Sequence, residues 1–425
     1  MFKRIIVSFL VILAVGFTFV SCDSDKCNTG PLVMPYNART TPLSLENYGS
    51  SDLKVTIEAS FSGTNDSKLK YSIDGGEKQD VTLSASFDIT VPAGGTISFY
   101  DDRPTTTEDS TIYTIKCDKE CYVYGNVMSL INSTDYKDLV SLENHEYVFV
   151  ALFYQNTKIE NHPKKPLVLP ATTLNKGCYQ KMFEGCSGLT AAPDLPATTL
   201  ADFCYDSMFS GCYNLTWAPK LPAETMADFC YYQMFHDCTS LTTAPDLPAT
   251  TLANRCYYSM FSGCTGLLVA PALPATTMKD TCYYAMFSGC TNLISAPALP
   301  ATTLAPNCYE SMFVFCSSLT VSPELPASTL ASACYKDMFK FCTSLTASPN
   351  LGAEAMVNEC YFNMFMGCTN LSSVSCLAKT NASLATTNWL LNTASSGTFT
   401  RSSAATFWET DSANGIPSGW SIFTL

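Results

Sequence analysis

The chain has 425 residues, of which 47% are hydrophobic and 14% are charged. This composition is typical of a packed protein and argues against intrinsic disorder. The net charge of −13 argues against nucleic acid as a partner, because phosphate backbones are bound by basic surfaces. The length is too great for one ordinary domain, although a solenoid can grow along its axis.

The N-terminus is predicted to be a targeting segment. Lys3 and Arg4 precede an apolar run, residues 5–20, which is shorter than a spanning helix of roughly 20 residues. The run ends in F-V-S-C, which is similar to a bacterial lipobox and identifies Cys22 as the lipidation site. The resemblance implies that residues 1–21 are a lipoprotein signal peptide and that a lipid anchors the chain in a membrane. A plain secretory signal is the alternative.

The four residues after Cys22, D-S-D-K, resemble the acidic export signal of Bacteroides-type lipoproteins. The resemblance implies a lipid-anchored outer-membrane protein that faces the cell exterior. Residues 22–46 are rich in Pro, Asn, Thr and Gly and show little periodicity, so we predict that they form a tether.

Residues 47–125 are predicted to form an antiparallel β-sandwich. Apolar residues alternate with polar ones, as at Leu53, Val55 and Ile57, and glycine-rich turn signals separate the runs. Cys117 and Cys121 are predicted to form a local disulfide. A zinc site would need a second pair of ligands nearby, which the sequence does not offer.

Eight tandem copies of a 26-residue unit occupy residues 169–376. Each copy reads approximately L-P-A-T-T-L-x-x-x-C-Y-x-x-M-F-x-G-C-x-x-L-x-x-A-P-x. A fixed period of this length predicts a solenoid, in which neighbouring units stack to bury one continuous core. The copies begin at Leu169, Leu195, Leu221, Leu247, Leu273, Leu299, Leu325 and Leu351.

Degenerate sequence flanks the array on both sides, and terminal repeats of solenoids are usually atypical. Residues 126–168 are predicted to be an N-terminal cap, because a degenerate repeat begins at Val148. Residues 377–425 have lost the consensus but contain three of the four tryptophans. We predict that they form a C-terminal cap, which folds aromatic side chains over the open end of the core.

The segment C-Y-x-x-M-F-x-G-C is predicted to be a short helix. Its apolar residues, with the leucine that follows, have offsets 0, 1, 4, 5, 8 and 11, which share one helix face. A short strand and a proline-bounded turn then complete each coil. The predicted fold class is therefore α+β: a leucine-rich-repeat solenoid of strand–turn–short-helix coils, preceded by an antiparallel β-sandwich domain.

The M-F-x-G-C-x-x-L core and the L-P hinge resemble the BspA-like leucine-rich repeats of bacterial surface proteins. The resemblance covers residues 148–425, and the motif is specific because it recurs eight times. It implies adhesion to host or bacterial surfaces through protein binding, without naming a ligand.

The pattern argues against catalysis. Sixteen cysteines form pairs eight residues apart, a spacing that predicts buried thiols in the core rather than metal ligands. The three histidines fall in no catalytic motif, and no phosphate-binding loop is present. We therefore expect neither an enzyme nor a cofactor or metal site.

Exposed variation between copies indicates a ligand surface. Tyr232, Tyr258 and Tyr284 occupy one position in consecutive copies, so stacking should align them in a stripe. Trp217 stands where other copies have Ala, Thr, Val or Ser. Leu268 and Ile294 replace the usual threonine and should form a small apolar patch. Neutral drift between copies is the alternative.

The sequence thus predicts a cell-surface lipoprotein adhesin that binds an extracellular protein, either of the host matrix or of a bacterial surface. The alternatives are a glycan-binding lipoprotein and a structural surface-layer component. Two further triplets, D-S-T and D-S-A, resemble the O-glycosylation motif of Bacteroides-type secreted proteins and mark Ser110 and Ser412.

Overall fold

The computed structural model describes residues 37–60, 69–81, 86–103, 112–410 and 414–425. The predictions for the signal peptide, Cys22, Ser110 and Ser412 lie outside these ranges. Among the described residues, no helix has the length and apolar character that crossing a membrane requires.

The N-terminal domain is made of β-strands in two sheets. The larger sheet has the order β10-β8-β1-β6-β3-β4, with β9 also paired to β8, and the smaller one has the order β5-β2-β7. A four-residue helix, α1 (Asn37–Thr40), and a 3₁₀ turn (Val127–Leu130) flank them. The strands are β1 (Ser44–Glu46), β2 (Leu53–Ser60), β3 (Lys70–Ile73), β4 (Gln79–Asp80), β5 (Ser86–Val91), β6 (Thr96–Tyr100), β7 (Ile112–Cys117), β8 (Cys121–Asn126), β9 (Ile159–Asn161) and β10 (Leu167–Val168).

The alternating pattern of the sequence fixes which side of each strand faces the core. Leu53, Val55 and Ile57 on β2 are fully buried, as are Ile97 and Phe99 on β6. Because successive side chains of a strand point to opposite faces, this pattern leaves the polar residues between them outside. The predicted N-terminal sheet domain is therefore confirmed.

The repeat array is a solenoid, as predicted, but it contains no α-helix over residues 169–376. In the second copy, Phe203, Ser207 and Gly211 have positive φ values of 58°, 53° and 70°. Left-handed residues at every fourth position cannot be part of an α-helix. The predicted short helix, and with it the α+β class, is wrong: the described chain is mostly β with a very small helical content.

Along this segment, successive backbone N–H groups donate alternately to a carbonyl of the same coil and to a carbonyl of the next coil. The N–H of Met208 donates to the carbonyl of Tyr205 in the same coil at 3.2 Å, which closes a β-turn. The next donor bonds to the following coil instead: the N–H of Phe209 reaches the carbonyl of Met234 at 2.9 Å. The segment is thus a ladder of turns, and its inter-coil bonds replace the bonds that a helix would make within itself.

The predicted core is confirmed within this different backbone. Cys204, Tyr205, Met208, Phe209 and Cys212 are all at most 1% exposed, and the same positions are buried in the other copies. Equivalent rings stack between coils, with centroid separations of 5.5 to 5.8 Å in the phenylalanine column of the eight copies. Apolar residues at offsets 0, 1, 4, 5 and 8 therefore face one core in a period-four turn ladder too.

The C-terminal part continues the solenoid as a parallel four-stranded sheet of about three turns. Its order is β11-β12-β13-β14. Trp389 is fully buried against Tyr361 of the last copy, and Trp408 stacks on Trp389 with ring centroids 5.2 Å apart. The strands are β11 (Ala347–Leu351), β12 (Ser373–Cys376), β13 (Gly397–Arg401) and β14 (Trp420–Thr424).

The segment between β8 and the first full copy connects the sheet domain to the array. Both β9 and β10 pair in parallel with β8, and the degenerate repeat stacks on the first full copy through Phe153 and Phe183, whose ring centroids are 5.6 Å apart.

A buried ion pair contacts the degenerate repeat. Nε of Arg103 is 3.5 Å from a carboxylate oxygen of Asp101. The Arg103 guanidinium also donates to the carbonyl of Val148 and covers the ring of Tyr113 at 4.4 Å.

Candidate functional site

The repeat cysteines are structural groups. The thiol of Cys212 donates to the carbonyl of Phe183 at 3.1 Å, and the second cysteine of every copy makes the equivalent bond. Burial raises the pKa of Cys212 to about 12, so this thiol stays protonated at neutral pH. Within the described ranges, no cluster of three or more His, Cys, Asp or Glu could hold a metal ion.

Cys117 and Cys121 lie at the turn between β7 and β8. Their sulfur atoms are 3.3 Å apart as free thiols, and Asn156 donates to Cys117 at 3.5 Å. The hydrogen bond between the thiols lowers the pKa of Cys117 and raises that of Cys121. The structure therefore brings the two residues together, and their disulfide stays a prediction.

Tyr232, Tyr258 and Tyr284 form an aligned stack on the turn side of the array. Their ring centroids are 4.6 and 4.5 Å apart, with interplanar angles of 14° and 7°. All three residues are half-buried. The stripe that stacking should produce is present, although a turn ladder rather than a helix carries it.

Two phenylalanines that were not predicted from the sequence extend this stack. Phe203 and Phe229 occupy the position before the repeat cysteine, and their rings stack at 4.5 Å. Phe229 also packs against Tyr232, and Arg255 lies 5.2 Å from the Phe229 ring. The signal was an aromatic residue at one position in only two consecutive copies. We call Phe203, Phe229, Tyr232, Tyr258 and Tyr284 the turn-face cluster.

Stacking decides what the turn-face cluster can bind. Both faces of the Tyr258 ring are covered, by Tyr232 on one side and Tyr284 on the other. Sugars stack on open aromatic faces, so the middle of this cluster offers only ring edges and hydroxyl groups. Burial, the largest cause, and the neighbouring tyrosines raise the pKa of Tyr258 to about 12, which keeps its hydroxyl protonated.

Carboxylates occupy the equivalent position in the copies just before and just after the three tyrosines. Asp206 precedes Tyr232 by one copy, and Glu310 follows Tyr284 by one copy. Burial raises the pKa of both carboxylates. Asp206 accepts hydrogen bonds from Gln180 and from its neighbour Ser207, at 2.7 and 2.6 Å. These contacts engage its carboxylate within the array rather than aiming it at a ligand.

A second surface is formed by the residues that lie between the last leucine of each copy and the proline that follows it. Leu268, Val269, Ile294 and Val321 are 46%, 63%, 55% and 64% exposed, and we call them the strand-face patch. They come from three consecutive copies. Parallel bridges join Val269 to Ser295 and Ser295 to Val321, and the N–H of Ile294 reaches the carbonyl of Leu268 at 3.5 Å.

Leu268 and Ile294, which were predicted to form a small apolar patch, thus lie on adjacent coils with both side chains exposed. Val269 and Val321 were missed, because their column mixes Ala, Trp, Thr, Val and Ser and so carries no pattern. Trp217 is 50% exposed and pairs with Ala191. It lies two copies before Val269 in the same column, and the copy between them has Thr242 and Thr243 there, so it is separated from the strand-face patch.

Comparison with known proteins adds no assignment. No family model matches the chain, and neither the curated proteins searched nor the solved structures include a match.

Proposed function

We propose that this chain is a cell-surface lipoprotein whose repeat array binds other proteins as an adhesin. The strand-face patch carries the proposal, since four large apolar side chains are about half or more exposed on neighbouring coils. Contiguous exposed apolar surface typically marks a protein-binding site. Other copies place threonine, serine or alanine at all of the equivalent positions but one, as at Thr242 and Thr243, so the fold does not require large apolar residues there.

The remaining parts of the proposal rest on the sequence. They are the BspA-like leucine-rich-repeat family, the lipid anchor at Cys22, and a location on the outer membrane facing the cell exterior. The partner would be a protein of the host matrix or of another bacterial surface. A structural surface-layer component remains the alternative, in which the strand-face patch would bind a second copy of the chain.

Changing the strand-face patch to threonine tests the proposal. We expect the variant Leu268→Thr, Val269→Thr, Ile294→Thr, Val321→Thr to bind its protein ligand at least about tenfold more weakly, because the apolar contact is lost. Binding would be measured to immobilised fibronectin, laminin and collagen and to intact bacterial cells. Threonine occurs at these positions in other copies and favours strands, so folding should be retained.

A control variant, Thr216→Ser, Thr242→Ser, Thr243→Ser, Thr320→Ser, changes the same face but removes only one methyl group at each position. It should bind like the wild type. Equal binding by the threonine variant would contradict the proposal. In that case Tyr232→Ser, Tyr258→Ser, Tyr284→Ser would show whether the turn-face cluster binds instead. Self-association that the threonine variant loses would favour the surface-layer alternative.

A further inference from the structure

A separate cluster lies on the larger sheet, where β1, β8 and β9 run side by side. Tyr122 on β8 is in register with Glu46 on β1 and with Glu160 on β9. Residues opposite each other on paired strands project to the same face. The Tyr122 ring is therefore flanked by a carboxylate on each side, and the structure shows this face partly open to solvent.

Tyr48 completes an aromatic platform on this face. Its ring stacks on Tyr122 with centroids 4.3 Å apart, and Tyr48 is 44% exposed. Tyr122 covers one face of the Tyr48 ring, so the opposite face is available to a ligand. This is the feature that the middle of the turn-face cluster lacks. We call Tyr48, Tyr122, Glu46, Glu160 and Lys165 the junction cluster.

Polar groups lie beside both tyrosines of the platform. The hydroxyl of Tyr48 donates to Glu160 at 3.2 Å, and Nζ of Lys165 donates to Glu46 at 2.6 Å. His162 lies 3.4 Å from the same Glu46 oxygen and packs its ring edge against Tyr122 at 5.1 Å. The cluster thus combines carboxylate acceptors and a cationic donor with one exposed aromatic ring, that of Tyr48.

We propose that the junction cluster binds a neutral pyranose glycan. The C–H face of a pyranose ring is apolar and stacks on an aromatic face, while its hydroxyl groups both donate and accept hydrogen bonds. The ring would lie on Tyr48, with a hydroxyl group directed to Glu160. Lys165 balances the charge of Glu46, and the carboxylate of Glu160 beside the platform would repel an anionic sugar, which favours a neutral ligand.

This site gives the N-terminal sheet domain a binding role of its own. It lies on strands β1, β8 and β9, whereas the strand-face patch lies on copies four to six of the array. The glycan proposal therefore does not depend on the protein-binding proposal, and either one can fail alone.

Calorimetric titration of the full chain with maltohexaose, cellohexaose, mannohexaose and xylohexaose tests the proposal. We expect at least one of these sugars to bind, and Tyr48→Ala to weaken that binding about tenfold or more, because the stacking face is lost. Glu160→Gln, which keeps the shape but removes the charge, should weaken binding less. Tyr213→Ala is the matched control, since Tyr213 is 52% exposed in the array.

The control variant should bind the sugar like the wild type. Failure of all four sugars to bind the wild type would overturn the proposal. Wild-type affinity in Tyr48→Ala would also overturn it, and so would an equal loss in Tyr213→Ala, which would place sugar binding on the array.

Discussion

Arg103→Ala should lower the free energy of unfolding by about 3–5 kcal/mol, the usual cost of removing one partner of a buried ion pair. The Arg103 side chain is only 7% exposed, and that of Asp101 only 2%. The substitution would remove the cation beside the buried Asp101 carboxylate, to which the hydroxyl of Tyr113 and the N–H of Asp102 still donate, at 3.3 and 2.9 Å. It would also remove the hydrogen bond to Val148, which links Arg103 to the degenerate repeat. Chemical denaturation of the full chain measures the effect.

The double variant Asp101→Asn, Arg103→Met is the control for this experiment. It removes both charges and keeps an apolar side chain over the Tyr113 ring. Replacing a buried ion pair by neutral groups is often nearly neutral, so the double variant should be clearly more stable than Arg103→Ala. A loss of less than about 1 kcal/mol in Arg103→Ala would show that the ion pair does not stabilise the contact between the sheet domain and the degenerate repeat.

Ala285→Pro should destabilise the array by at least about 3 kcal/mol. Ala285 has a φ of 49°, and its N–H donates to the carbonyl of Glu310 in the next coil at 2.8 Å. Proline has no N–H and fixes φ near −65°, so it fits neither the conformation nor the bond. Because each coil is stabilised by its neighbours, the fifth and sixth copies should also unfold less cooperatively.

Asp280→Pro is the matched control in the same copy. The next copy has a natural proline at the equivalent position, Pro306, so this part of the ladder accepts proline. We expect Asp280→Pro to change the free energy of unfolding by less than about 1 kcal/mol. Similar losses in both variants would mean that proline harms this segment in general, and that the inter-coil bond of Ala285 is not the cause.

The sequence predicted the solenoid but not its backbone. The 26-residue period and the buried positions of C-Y-x-x-M-F-x-G-C were sufficient for the stacked core. Those positions fit a helix and a period-four turn ladder equally well, so periodicity alone could not separate the two. The positive φ of residues such as Phe203 and Ser207 could not be predicted either, because non-glycine residues rarely adopt positive φ.

The candidate sites were predictable only where one column carried a repeated residue. The tyrosine stack could be inferred because Tyr232, Tyr258 and Tyr284 recur at one offset. That the rings cover one another depends on coil spacing, which the sequence does not contain. The junction cluster was missed because Glu46 and Lys165 are 119 residues apart and meet only through strand pairing.

Exchanging Gln233 for glycine and for alanine tests the central structural claim, the ladder of turns, most directly. Gln233 lies inside the segment predicted to be helical, and its φ is 50°. In a helix, alanine is more stable than glycine by about 1 kcal/mol, whereas a left-handed residue other than glycine costs about 1–2 kcal/mol. The turn ladder therefore predicts that chemical denaturation finds Gln233→Gly more stable than Gln233→Ala. A more stable alanine variant would contradict the turn ladder and support the helix that the sequence predicts.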